Sequence, residues 1–265
     1  MLDAVILVLR EVLEAALLVS LLLALGSQLQ LRWRWWRVAI PLGLATSWVL
    51  SHSAYAVAEA FDGTGQELLN AGLYGTAILC FIALTTLLVP TLRSSGAPHR
   101  LNARLLHACF VLIVACSMAR EGSEIWIYFS SFQNAPAALS SALMGGLIGA
   151  GIGLSLCALV YYAFAFLPRR IFLGVFFVLA ALVVGGLAMQ LAKQGLQTGV
   201  LDSGRPVWDS SMLVSERSWF GQLLHALFGY DANPDMTQMI FYSGALAAMA
   251  IAAGFRFVSR GTRHA

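Results

Sequence analysis

Charge is scarce in this chain: Lys, Arg, Asp and Glu make up 11% of its 265 residues, against 59% hydrophobic residues and a mean hydropathy of +0.79. Such a balance excludes an ordinary soluble domain. Repeated apolar runs of about 20 residues, the length that crosses a hydrocarbon core, make the chain a polytopic, all-α integral membrane protein. Little is left over for a folded soluble domain, so one transmembrane domain over 1–265 is expected. Cysteine is equally sparse. Cys80, Cys109, Cys116 and Cys157 all fall in apolar runs and form no C-x-x-C pair, which excludes a disulfide framework and an evident zinc or haem signature. They read as small hydrophobes. A Walker loop is absent, so the chain is not expected to hydrolyse ATP. So are a His/Cys/Met copper constellation and paired mid-span histidines, so metal oxidation is expected on another protein. No enzymatic activity, permanent cofactor or nucleic-acid partner is expected.

Apolar runs and their polar punctuation place seven spans at about 4–26, 38–60, 67–91, 104–129, 138–166, 171–192 and 237–258. The first is expected to stay in the mature chain, because it lacks a basic leading region and a small-residue cleavage site. Basic residues set the orientation. Arg32, Arg34 and Arg37 follow span 1; Arg93, Arg100 and Arg104 follow span 3; Arg169 and Arg170 follow span 5; Arg256, Arg260 and Arg263 close the chain. On the other side only Lys193, Arg205 and Arg217 occur, all in one long loop where the positive-inside rule is weakest. The N-terminus is therefore expected outside and the C-terminus inside. Asp3, Glu59, Asp62, Glu67, Asp202, Asp209, Glu216, Asp231 and Asp235 then lie on or near an outer face that attracts cations. Glu59, Asp62 and Glu67 cluster at the turn between spans 2 and 3. They are candidates for an external capture site, or else ordinary helix-end acids.

Against this background two segments stand out: Arg10-Glu11-Val12-Leu13-Glu14 in span 1 and Arg120-Glu121-Gly122-Ser123-Glu124 in span 4. Each charge near a bilayer centre costs roughly 2.5–3.5 kcal/mol. Six facing lipid would cost about as much as a whole domain's stability, so they must face protein. On a helix, residues three and four apart are neighbours. Each motif thus sets two carboxylates on one stripe, with an arginine one turn before the second. Close carboxylates in a dry site tend to hold a proton between them unless a cation or an arginine relieves the repulsion. Glu11, Glu14, Glu121 and Glu124 are the candidate metal ligands, with Arg10 and Arg120 supporting them. Four ionised glutamates and two arginines sum to minus two, a charge that a divalent ion neutralises and a trivalent ion overcompensates by one. Oxygen ligands favour ferric iron, manganese, magnesium or calcium over copper(I).

A lone copy of such a motif reads as an intrahelical salt bridge. Here four of the chain's seven glutamates are in the two copies, and both copies come to a similar depth from opposite-running helices. Spans 1–3 and 4–6 would begin on opposite sides, the pattern of a 3+3 inverted repeat with its ion site near the midplane, span 7 being an addition. Smaller expectations attach to other residues. His52, among Ser47, Ser51, Ser53 and Tyr55, is read as an interhelical hydrogen-bonding residue or a pathway residue. His225 in the outer loop is a weak metal candidate. Gly145, Gly146, Gly149, Gly151 and Gly153 suggest close helix packing, and Trp33, Trp35 and Trp36 an inner interfacial anchor. Met118 and Cys116 are read as packing.

The run from Arg10 to Ser20 and the segment Ala119 to Glu124 resemble the two signature segments of the oxidase-dependent iron transporter family, the high-affinity iron permeases of fungi and bacteria. Trp219-Phe220-Gly221 to Phe228-Gly229-Tyr230, before span 7, is similar to the bacterial members. The resemblance covers the chain in span number and motif position. It implies a seven-helix permease whose paired glutamates carry iron, delivered as ferric ion by an iron-oxidising or iron-delivering periplasmic or extracellular partner. A bacterial inner membrane fits this likeness. Val12 and Ser123 stand where the family often has Gly and Leu, at variable positions of the motif, and the additional external acidic motifs of fungal members are not recognisable. Two alternatives stay open: a permease for another hard cation, and a non-transporting membrane scaffold for a periplasmic iron oxidase. A carboxylate relay for protons is a further one.

Overall fold

The computed structural model describes residues 1–31, 34–92, 100–215, 218, 221, 224–225 and 229–259. Arg32, Trp33, Arg93, Glu216, Arg217, Trp219, Phe220, Phe228, Arg260 and Arg263 lie outside the described residues. Every apolar run becomes a helix: α1 (Leu2–Gln28), α2 (Trp36–Ala60), α3 (Gly65–Leu88), α4 (Arg100–Ser130), α5 (Pro136–Ala165), α6 (Arg169–Gln197) and α7 (Met236–Ser259). A 3-10 turn, Val89–Leu92, follows α3. Five of these, α3 to α7, are long and apolar enough to cross a membrane. In α1 the apolar run is interrupted by Asp3, Arg10, Glu11 and Glu14.

The helices sort into two compact units that interleave in sequence, 1–63 with 114–167 and 64–113 with 168–265; α4 contributes its first part to the second unit and the rest to the first. In the first unit α1 lies along α5 in parallel. Gly145, Gly149 and Gly153, spaced by four and therefore on one face, meet Met1 and Ala4, Val5 and Leu9, and Val12 in turn. A Cβ at Gly149 would stand 2.5 Å from the Val5 carbonyl oxygen, so glycine is what lets the two backbones approach. Gly151 points away from this seam into open space. Further along, Ser20 Oγ donates to the Cys157 carbonyl at 2.9 Å, and Gln28 Nε2 donates to the Leu167 carbonyl at 3.0 Å. The other pair in this unit, α2 with α4, is also parallel: Gly43 meets Met118, and Ser47 meets Gly122.

The second unit packs α3, α6 and α7 together with the start of α4. Its core is built from Phe81, Leu84, Leu88, Leu106, Phe110, Ile113, Phe172 and Phe176, all buried. Of the described residues between α6 and α7, His225 and Gly229 lie against α6. His225 bonds the Tyr230 carbonyl through Nδ1 at 2.7 Å and meets Gln190 of α6 through Nε2 at 3.1 Å. Gly229, at φ +65°, sits against the Gly186 backbone with no room for a Cβ. A single isolated bridge joins Pro206 to Asp235, and among the described residues there is no strand.

Candidate metal centre

Both motifs belong to the first unit, on the face where α1 meets α4. The two helices are antiparallel there, because Arg10 approaches Glu124 (4.0 Å) while Arg120 approaches Glu14 (2.7 Å). These two contacts are the same contact with the motifs exchanged, the first position of one reaching the fifth of the other. Within each helix, Arg10 also meets Glu11 at 2.9 Å and Glu14 at 3.7 Å. Arg120 likewise meets Glu121 directly and Glu124 at 3.8 Å.

The six groups form a gradient from open to closed. Arg10 and Glu124 are 47% and 38% exposed, Arg120 and Glu14 16% and 12%, and Glu11 and Glu121 are buried. At the closed end the arginines satisfy only part of what the carboxylates can accept. Glu11 Oε2 and Glu121 Oε2 are buried with no hydrogen-bond partner, which is costly for a carboxylate oxygen. Oxygens of Glu11, Glu121 and Glu124 lie within 4.8 Å of one another, and among the described residues this is the one such trio of potential metal ligands. Glu14 is engaged by both arginines instead. A hard cation is what such an oxygen-only cluster accommodates.

The other candidates do not belong to the trio. Glu59 and Asp62 are exposed at the end of α2, and Glu67 is half-buried in the first turn of α3, in the other unit, with Oε2 buried and unpartnered. His52 turns to its own helix, where Nδ1 meets the Trp48 carbonyl at 2.9 Å and the ring lies 4.4 Å from the Trp48 ring, so the interhelical bond is not what it forms. Both nitrogens of His225 are taken by Tyr230 and Gln190. Trp35 is buried, and Arg37 lies over the Trp36 ring at 5.5 Å. What sequence reasoning missed is the exchange of arginines across the helices; spacing along one helix gives only the pairs within it. Ser47, named beside His52, packs its hydroxyl against Gly122 inside the second motif.

Long apolar helices, two of them carrying a cluster of carboxylates and arginines, define an α-helical integral membrane protein. The family described as "Iron permease FTR1 family" matches residues 1–265, and the chain belongs to it. Similar proteins include "Ferrous iron permease EfeU" of Shigella sonnei (strain Ss046), 26% identical over 270 residues that cover 93% of this chain and 94% of that protein. The protein of the same description from Escherichia coli O6:H1 is 26% identical over 254 residues, 88% of each chain. An uncharacterized protein of Archaeoglobus fulgidus is 24% identical over 268 residues, 94% of this chain and 93% of that one. No solved structure matches the chain. Iron is the substrate that the family's description names.

Proposed function

We propose that this chain moves iron across a bacterial inner membrane into the cytoplasm through one site made jointly by the two Arg-Glu-x-x-Glu motifs. Glu11, Glu121 and Glu124 bind the ion, Glu14 joins them as the arginines shift, and Arg10 and Arg120 hold the carboxylates in place. The observation that carries this reading is the pair of buried, unpartnered oxygens of Glu11 and Glu121, on carboxylates that gather with Glu124 into a trio of ligand oxygens within 4.8 Å of one another. Buried carboxylate oxygens left without donors are groups that a cation can satisfy. Glu59, Asp62 and Glu67 would gather iron at the outer mouth.

The same reading takes all seven helices as spans of a single permease domain over 1–265, with the N-terminus outside and an inverted repeat relating α1–α3 to α4–α6. Its support is geometric. Exchanging the motifs turns the Arg10–Glu124 contact into Arg120–Glu14, and the α1 seam on α5 into the α4 seam on α2. In those seams Val12 meets Gly153 and its counterpart Gly122 meets Ser47. Antiparallel α1 and α4 with parallel partners is what two inverted halves that exchange helices produce. Alternating access would then move one half against the other around the site.

Ferric ion, handed over by an iron-oxidising or iron-delivering partner, is the form that the resemblance to oxidase-dependent permeases favours. Ferrous ion is the second reading. It is favoured by the site's charge of minus two, which a divalent ion neutralises, and by the name of the relatives. Uptake of radioactive iron into vesicles holding the chain separates the two, with the metal supplied either as ferric chelate or under reductant. Uptake only of the ferric form supports the first, and uptake only under reductant supports the second. A chain that carries manganese equally well is the permease for another hard cation. Iron uptake that survives Glu121→Gln removes the motifs from the pathway and leaves the scaffold reading.

A further inference from the structure

We propose that the two arginine–glutamate contacts between α1 and α4 are gates on either side of the ion, Arg10–Glu124 standing open toward the outside and Arg120–Glu14 standing shut, and that transport exchanges the two states. This rests on the motif site being the iron site. Because α1 and α4 are antiparallel here, Arg10 and Glu124 lie together on one side of Glu11 and Glu121, and Arg120 and Glu14 on the other. The same residue types meet in both contacts, so the difference between them comes from what surrounds them. Arg10 and Glu124 are 4.0 Å apart and well exposed, whereas Arg120 and Glu14 are 2.7 Å apart and largely covered. The asymmetry continues one turn further out along each helix, on the faces that the motifs share. Ile6, one turn before Arg10, and Ile127, one turn after Glu124, are exposed. Cys116 and Leu17, which the exchange of motifs sets in their places, are half-buried.

A guanidinium and a carboxylate do not lie bare to hydrocarbon, so the exposed contact faces water. It is the contact nearer the start of α1, which is the outer side in the proposed orientation. Glu124 is then the first ligand an entering ion meets, Glu11 and Glu121 follow, and the Arg120–Glu14 contact closes the way beyond them. Arg120 links occupancy of the site to that closed contact, because one guanidinium touches both Glu121 and Glu14. A cation taken up by Glu121 competes with Arg120 for the carboxylate and repels its charge, which loosens the hold on Glu14. Arg10 has the mirrored position, on Glu11 and next to Glu124, and closes behind the ion by shortening its 4.0 Å contact. A device of this kind needs two arrangements of similar energy, which contacts made of the same residues provide.

The test follows labelling by a charged, membrane-impermeant methanethiosulfonate in vesicles of known orientation, read at each position by peptide mass spectrometry. Ile6→Cys and Ile127→Cys report the open side, and Leu17→Cys and the native Cys116 the closed side, in chains whose iron uptake is retained. Without iron, the open-side thiols should react from the outer face, and the closed-side thiols at least about tenfold more slowly from either face, as befits a minor inward-open state. Saturating iron should slow the first pair and speed the second. Arg120→Gln should speed Leu17→Cys and Cys116 without any iron. Equal reactivity on the two sides, open-side labelling from the inner face, changes of the same sign or none on adding iron, or a closed side indifferent to Arg120→Gln would each overturn the proposal. Uptake by Glu121→Gln, measured alongside, separates the two levels of the reading. If it is lost while the thiols ignore iron, only the gates fall; if Glu121→Gln transports normally, the motif site and the gates fall together.

Discussion

Removing Arg120 is the perturbation with the most specific consequence. Its guanidinium meets Glu14 at 2.7 Å and touches Glu121, which is buried. Two unit charges that close attract by about 6 kcal/mol at an effective dielectric constant of about 20. Most of that offsets the cost of taking the charges out of water, and the pair's net contribution is small. Deleting one partner is different, because the other charge stays buried; such losses run to about 3–5 kcal/mol. For a chain of this size that lowers the unfolding temperature by roughly 6–20 °C. Arg120→Gln should show this loss in the metal-free protein in detergent, followed by tryptophan fluorescence. The double variant Arg120→Gln/Glu121→Gln should recover at least about half of it, since the stranded charge is gone. Arg120→Lys should fall between, because one ammonium does not reproduce the planar fork that serves two carboxylates. An Arg120→Gln variant within about 1 kcal/mol of wild type, or a double variant no better than the single one, would refute the argument that the arginine is there to hold buried carboxylates.

Three further outcomes are expected. Gly149→Ala should cost about 1–3 kcal/mol in thermal unfolding, because the Val5 backbone cannot yield to a Cβ 2.5 Å away, whereas Gly151→Ala, facing open space, should be neutral. Equal effects at the two positions would deny the α1–α5 seam. Gly229→Ala should loosen the contact of Gly229 with α6, since φ +65° and contact with Gly186 both exclude a side chain; limited proteolysis should cut the variant there faster than wild type, and equal rates would count against that docking. A cysteine placed at the exposed Met212 should react with an impermeant thiol reagent added outside intact cells, and labelling only after the membrane is opened would reverse the proposed orientation.

The helices are legible in the sequence because a bilayer demands long apolar runs, and all seven runs form helices. Their ends are less so. Hydropathy ends span 6 at 192, but α6 continues to Gln197, and it begins span 4 at 104, while α4 starts at Arg100. Hydropathy marks where polar side chains begin, whereas backbone hydrogen bonding carries on through them. The four glutamates are legible because charge in an apolar run is conspicuous. The pairing of Arg120 with Glu14 is not, since it depends on which helix packs against which. Gly145, Gly149 and Gly153 carry the spacing of a seam, yet nothing in the sequence names α1 as its partner. Ser47 carries no signal that sets it apart from Thr46 or Ser51; only the direction of its hydroxyl does so.

The central claim is that the two motifs form one site and not two. Equilibrium binding of radioactive iron to the purified chain, counted per protein, tests it in wild type, Glu11→Gln and Glu121→Gln. The account predicts a single ion per chain, lost in either variant. Two ions in wild type with one retained in each variant, or binding unaffected by both, would contradict it.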